Sequence, residues 1–317
     1  MKETLKKIII ILLLLLTAAF VLCKSQSPPF KVTLSEQGIL IEENGKKVLF
    51  YQKEPKSLNG KYSRNNYIHP LYNLDGDILT DDFPKDHPYH RGIFWAWHHV
   101  SVNDSIVSDS WSLINHDCNI IETNSITKSS KAEIRIDALW SSPIYLNSTP
   151  YLKERTEITI YSRNKNVRVI DFKISLIALT EGLKIGGAKN KKGYGGFCPR
   201  INTPRDLIFI SSSGRITPHE FQISAGSWID FSATFGKRNG ISGITLICHP
   251  SNPNYPQPWI LRQQRSMQNV VYPGQEPVEI STKIPTVLNY RIIIHSGRGD
   301  VKEITDWENN YKSKEII

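Results

Sequence analysis

The chain reads as a mainly β protein, a large antiparallel β-sandwich carrying one C-terminal helix. Three observations predict this. Apolar and polar residues alternate with period two in many short segments. Glycine, asparagine and proline turn signals separate those segments at close spacing. One stretch near the C-terminus repeats its apolar residues at helical spacing instead.

The first element is a leader. Met1 to Lys7 holds three lysines, and Ile8 to Leu22 is an apolar run interrupted only by Thr17. A basic start followed by roughly 7–15 apolar residues marks an export signal, whereas a membrane-spanning helix needs about 20. Cys23 directly follows the run, where a lipoprotein leader is cut and its cysteine acylated. Cleavage after Cys23 or Ser25, or an uncleaved anchor, are the other readings. Residues 1–22 are thus taken as leader, 23–29 as a short tether, and 30–317 as a single sandwich domain. That domain exceeds the usual roughly 100–200 residues, a length sandwiches reach as one unit.

The strands follow in order. Val32 and Leu34 alternate with polar residues, as do Ile39 and Ile41, and Asn44-Gly45 makes a type I′ turn into Val48 and Phe50. Glu157 to Tyr161 and Val167 to Leu179 form a second hairpin across Arg163 to Asn166. Leu207 to Ile210, Ile244 to Cys248 and Leu288 to His295 are further strands. The helix opens at Asp300, a good N-cap with Glu303 three residues on, and carries Val301, Ile304, Trp307 and Tyr311 as one stripe expected to pack across the sandwich.

Composition narrows the function classes. Beyond the leader the chain keeps Cys118, Cys198 and Cys248, an odd number at long spacing, which excludes a disulfide scaffold and a CxxC zinc site. These cysteines read as buried small residues, with one bridge possible. The net charge of +9 falls only slightly without Lys2, Lys6, Lys7 and Glu3. Its one dense cluster, Lys189, Lys191 and Lys192, lies in a Gly-rich solvated loop. Nucleic-acid binding needs a clustered patch, so none is expected.

The densest chemistry is Asp86 to Val100, DHPYHRGIFWAWHHV, which holds four of the nine histidines. Histidine serves as acid, base or metal ligand near neutral pH, arginine as a planar fork, and tryptophan as a flat apolar face. Read as a strand, Trp95 and Trp97 share one face and Phe94 and His98 the other. A second group is Cys248-His249-Pro250-Ser251-Asn252-Pro253, followed by Trp259 and Arg262. A third is Gly193 to Arg200, whose glycines allow close approach of a ligand or a neighbouring strand and which lacks the phosphate-loop pattern. Glu154-Arg155 reads as a solvated pair. His87-x-x-His90 offers two metal ligands without a third, so the metal and cofactor requirements stay unknown.

These blocks in this order resemble the PmoA-like ("methane oxygenase PmoA") family of exported bacterial proteins of uncertain function. The resemblance rests on His87-Pro88-Tyr89-His90-Arg91-Gly92, on Gly195-Gly196-Phe197 with Arg200, on His249 to Pro253 with Trp259 and Arg262, and on Arg291 with His295-Ser296-Gly297. It covers nearly all of the chain beyond the leader. It implies an exported sandwich shaped like the galactose-mutarotase-like supersandwiches, in a setting of glycan degradation.

The functional expectation is an envelope enzyme acting on a sugar as hydrolase, lyase or epimerase. His87, His90, Arg91, Arg200 and His249 would form its catalytic pocket. Trp95, Trp97, Asn252, Trp259 and Arg262 would bind the carbohydrate. The alternatives are a glycan-binding lipoprotein without catalysis and a metal-dependent oxidoreductase. Membrane contact is expected only through the leader or its lipid.

Overall fold

The computed structural model describes residues 28–236 and 240–313. The leader, the cleavage site and most of the tether lie outside the described residues.

Among the described residues the strands form antiparallel sheets of eight, nine, four and two strands. The eight-stranded sheet runs, in spatial order, Phe30–Leu34, Gly38–Glu43, Lys46–Gln52, Tyr67–Leu71, Ile93–Trp97, Gly195–Pro199, Asn269–Val271 and Trp259–Ile260. The nine-stranded sheet runs Asp117–Thr127, Lys131–Ser141, Leu152–Tyr161, Val167–Ala178, Thr286–Ser296, Ser242–Cys248, Trp228–Ala233, Ile208–Ser211 and Gly214–Ile216. Local turn chemistry explains the hairpins. Asn44 and Gly45 both adopt positive φ, 50° and 75°, as a type I′ turn requires. The second hairpin pairs Leu152 with Ala178 at one end and Ile160 with Ile170 at the other, so its first strand begins earlier than the apolar pattern alone indicates.

One continuous cluster of buried side chains fills the space between the two large sheets. Alternation decides which residues enter it. Trp95 and Trp97 point inward while Phe94 and Ala96 join a separate cluster with Trp111 and Cys198 on the outer face of the eight-stranded sheet. On the other sheet Leu288, Tyr290 and Ile292 point inward, and Ile293 faces out. The helix Val301–Lys312 is capped by Asp300, whose side chain accepts from the Glu303 backbone N–H at 2.9 Å. Its stripe of Ile304 and Tyr311 packs with Trp228, Ile247 and Ile293 on the outer face of the nine-stranded sheet. No helix among the described residues is long and apolar enough to cross a membrane.

Two expectations change here. The pair Glu154-Arg155 is not solvated as a unit, because the strand alternation splits it. Arg155 faces out and forks onto Asp137 with two bonds of 2.7 Å. Glu154 faces in and accepts from Thr156 Oγ1 (2.7 Å), Asn66 Nδ2 (2.9 Å), Trp95 Nε1 (2.9 Å) and Trp140 Nε1 (3.1 Å). Burial raises its pKa despite those donors. It ties the two sheets together through the core, behind a cavity of about 280 Å³ that Trp95, Trp140, Asn66 and Arg64 help to line. Second, Cys118, Cys198 and Cys248 are all free, so no bridge forms between them.

Candidate functional site

The loop from Asp81 to Gly92 connects two neighbouring strands of the eight-stranded sheet and folds over its outer face. Gly92 lets it close tightly: φ is +53°, and a Cβ there would lie 1.9 Å from the Ile68 carbonyl oxygen. The His90 backbone N–H donates to the His87 carbonyl at 2.9 Å, making a turn that brings both rings to one side.

Asp86 is the hub. Its carboxylate meets His87 Nδ1 at 2.7 Å and takes a two-pronged bond from Arg200 at 2.8 and 2.9 Å. Arg200 comes from the end of the adjacent strand and is anchored through its backbone to Gly92 and Asp81. Burial alone would raise the Asp86 pKa, but the hydrogen bonds from Arg200 and His87 outweigh it and hold the carboxyl well below its ordinary value. His87 stacks on His90, ring centroids 4.8 Å apart and planes 12° apart. His90 is buried, and its Nδ1 has no protein partner. Burial, then the charges of His87 and Arg200, push its pKa well below the ordinary value, so its ring is neutral near pH 7.

Trp111 sits under this group. His90 meets it edge-on at 5.5 Å, and His98 stacks on it at 5.2 Å. His98 forms a second pair with a carboxylate, Nδ1 to Asp109 at 3.0 Å. Tyr194 lies 5.7 Å from Trp111, and its hydroxyl accepts from Arg262 Nη2 at 2.8 Å. Tyr89, packed against both His87 and His90, and the exposed Tyr62 form the outer rim.

The structure therefore brings together His87, His90 and Arg200, with Arg262 at the border through Tyr194. Arg91 lies underneath and is fully buried. Its guanidinium is held by Asp82, by Tyr67 Oη at 2.5 Å and by the backbone oxygens of Lys56 and Tyr62, and it covers the Phe83 ring at 3.3 Å. That set positions the loop and leaves the guanidinium no face toward solvent.

The expected convergence of His249 with His90 is corrected. His90 packs on Phe94, on the outer face of the eight-stranded sheet. His249 packs edge-on against Tyr311 of the helix at 4.9 Å, on the outer face of the other sheet. The whole core lies between them, because their strands belong to different sheets. Asn252 stays with His249, clamping the backbone of Asn289 with bonds of 2.9 and 2.6 Å. The stacking surface expected of the tryptophans is also corrected. Trp97 and Trp259 are fully buried, and their indole N–H groups donate to the backbone oxygens of Tyr272 and Gly226. Trp95 is buried too and donates to Glu154. The glycines of the third block serve strand packing: a Cβ on Gly196 would lie 2.6 Å from the Val270 carbonyl oxygen.

Trp111 and Asp109 were not singled out from the sequence. They follow the histidine block by about one hairpin, and only that hairpin's return brings them under it. Among the described residues no group of three or more histidine, cysteine, aspartate or glutamate side chains is arranged to hold a metal ion.

The fold and site define an antiparallel protein built on two large sheets, with a histidine–carboxylate–arginine centre on the outer face of one of them. The chain belongs to the Family of unknown function (DUF6807), whose model matches residues 39–307. This overturns the PmoA-like resemblance: the matching family is one of unknown function, and nothing links it to PmoA. No curated protein matches the chain. Among solved structures it is similar to a mutant of heparan sulfate lyase HepC from Pedobacter heparinus, with TM-score 0.44 and 9% identity over 87% of this chain. The chain spans only 38% of that lyase. It is also similar to a putative mutarotase, YeaD, from Salmonella typhimurium, with TM-score 0.33 and 9% identity over 86% of this chain and 96% of that one.

Proposed function

We propose that this protein is an exported carbohydrate-active enzyme whose acid/base centre is the His87–Asp86 pair. The observation that carries the reading is the Asp86 carboxylate, bonded at once to His87 Nδ1 and to both prongs of Arg200. A carboxylate kept ionised in that way fixes the tautomer with the proton on Nδ1 and leaves Nε2 to accept a proton. In the reaction Nε2 removes a proton from a sugar hydroxyl or an acidified ring carbon, and Asp86 stabilises the imidazolium that results. The same nitrogen returns the proton to the product or leaving oxygen. The tyrosine rim supplies flat apolar surface with hydroxyl tips, suited to a ring whose faces are apolar and whose edges are polar.

The experiment is turnover by the purified protein against a panel of oligosaccharides and keto-sugars. His87→Ala should lower turnover by about 10²–10⁴-fold, the usual worth of a positioned general acid or base, while the melting temperature falls by no more than a few degrees. Turnover that survives His87→Ala, or a panel on which nothing reacts, overturns the reading.

Export to the cell envelope is part of the same proposal, supported by the basic and apolar start of the chain and by Cys23. Palmitate labelling that disappears in Cys23→Ala supports a lipid anchor; a retained 1–22 segment in the mature chain excludes cleavage.

A further inference from the structure

The outer face of the nine-stranded sheet takes no part in the centre described above. Five adjacent strands there, from Asp117–Thr127 through Thr286–Ser296, floor a groove of about 590 Å³ that Tyr311 of the helix walls at one end. That volume falls within the roughly 300–1,000 Å³ of ligand sites.

The strand register arranges its side chains in rows. Arg135, Glu157, Lys173 and Asn289 stand side by side on four neighbouring strands. Two residues along, Glu133, Thr159, Asp171 and Arg291 form a second row. With strands about 4.8 Å apart, the five-strand floor is roughly 19 Å wide, and the rows lie about 7 Å from each other. The four strands bearing the rows are each paired on both sides.

Charge and hydrogen-bonding character identify the occupant. Lys131, Arg135, Lys173 and Arg291 face Glu133, Glu157 and Asp171, so the groove is nearly balanced. Three carboxylates repel a polyanion, and the cations repel a basic chain. The one open strand edge that borders the groove is Asp117–Thr127, and the two rows beside it are polar throughout, so a peptide finds no row of apolar anchor pockets there. A ligand rich in hydroxyls suits alternating donors and acceptors, because each hydroxyl both gives and takes a hydrogen bond. Of the ion pairs in the groove, Lys173–Glu157 at 4.0 Å and Arg135–Glu122 at 3.7 Å are long and partly exposed, so each contributes little, whereas Lys131 is drawn close to Glu133. Arg291 is the rigid point: it forks onto Asp171 at 2.6 and 2.7 Å and lies over the Tyr311 ring at 4.2 Å.

We propose that this groove binds an extended neutral oligosaccharide lying across the strands. The proposal shares with the function above its carbohydrate class and none of its residues.

Isothermal titration calorimetry of the full mature chain tests it, with cellohexaose, xylohexaose and maltohexaose as neutral probes, hexagalacturonate as the anionic one and a mixed-sequence decapeptide. One neutral hexasaccharide should bind saturably. Glu157→Ala and Lys173→Ala should each weaken it about tenfold, the loss of one well-placed partner, with unchanged melting temperatures. His87→Ala should bind as the parent does. Absence of binding by every neutral probe, preference for the anionic probe or the peptide, or full affinity in both groove variants overturns the proposal. Binding lost in His87→Ala but kept in Glu157→Ala also overturns it, while leaving the histidine centre standing. Groove binding that persists when no panel sugar is turned over sinks the catalytic reading alone.

Discussion

Two histidine–aspartate pairs of nearly identical length occupy opposite outer faces of this protein. His87 Nδ1 lies 2.7 Å from Asp86 in a pair whose side chains are 38% and 23% exposed. His295 Nε2 lies 2.8 Å from Asp230 in a pair 4% and 0% exposed, with the His295 ring against Trp307 of the helix. The buried carboxylate also accepts from Ser232 at 2.5 Å and Thr245 at 2.9 Å, so every partner is internal. The loop pair is open to solvent, so under the proposed function a substrate can reach its second ring nitrogen. Pair geometry is therefore no sign of catalysis by itself; access is what separates a reacting group from a buried strut holding a helix in place.

The comparison breaks most readily by truncation. His295→Ala leaves Asp230 buried without its partner and opens a hole beneath Trp307, so it should cost about 3–5 kcal/mol in urea unfolding. His87→Ala removes a partly exposed ring and should cost at most about 1 kcal/mol. Equal costs would erase the distinction.

A smaller effect comes from pH, which tests shielding of another ring. Burial, then the charge of Arg64, lowers the His116 pKa to about 3. The folded chain thus keeps it neutral where the unfolded chain, near the ordinary value of about 6.5, takes up a proton. Stability contributed by the neutral ring is complete above about 6.5 and falls as pH drops toward 3, by roughly 1–2 kcal/mol between pH 7 and 5. His116→Gln should flatten that part of the pH profile of the melting temperature. An unchanged slope would mean that water reaches the ring freely.

The smallest expected effect sharpens the role of the helix as cover. Asp300→Ala removes the cap from the Glu303 N–H and should cost about 1 kcal/mol. If the helix is what seals the His295–Asp230 pair, hydrogen exchange should rise at Trp307 and at the strand amides beneath. Exchange raised evenly over the whole chain would instead report a general loss of stability.

Much of the fold was legible in the sequence because it depends on neighbours a few residues apart. Asn44-Gly45 reads as a turn since both positions need positive φ, and Asp300 with Glu303 reads as a helix start since the first N–H groups need acceptors. The grouping of His87 with His90 was legible for the same reason: one tight turn holds both. The carboxylate lay within the same block, yet its partner Arg200 is 114 positions away, and only the pairing of Ile93–Trp97 with Gly195–Pro199 brings it near.

By itself, then, the sequence determined strands, turns, the helix and its cap, and which residues share a strand face, because alternation and capping are local. The tertiary structure alone decided which face turns inward, since both faces of Ile93–Trp97 are aromatic and apolar and only the packing of the second sheet chooses between them. That choice put Trp95 and Trp97 in the core and Phe94 under the histidines. Strand order decided the rest: it set His90 and His249 on different sheets, with the core between them, because pairing partners are selected by long-range burial that no short spacing encodes.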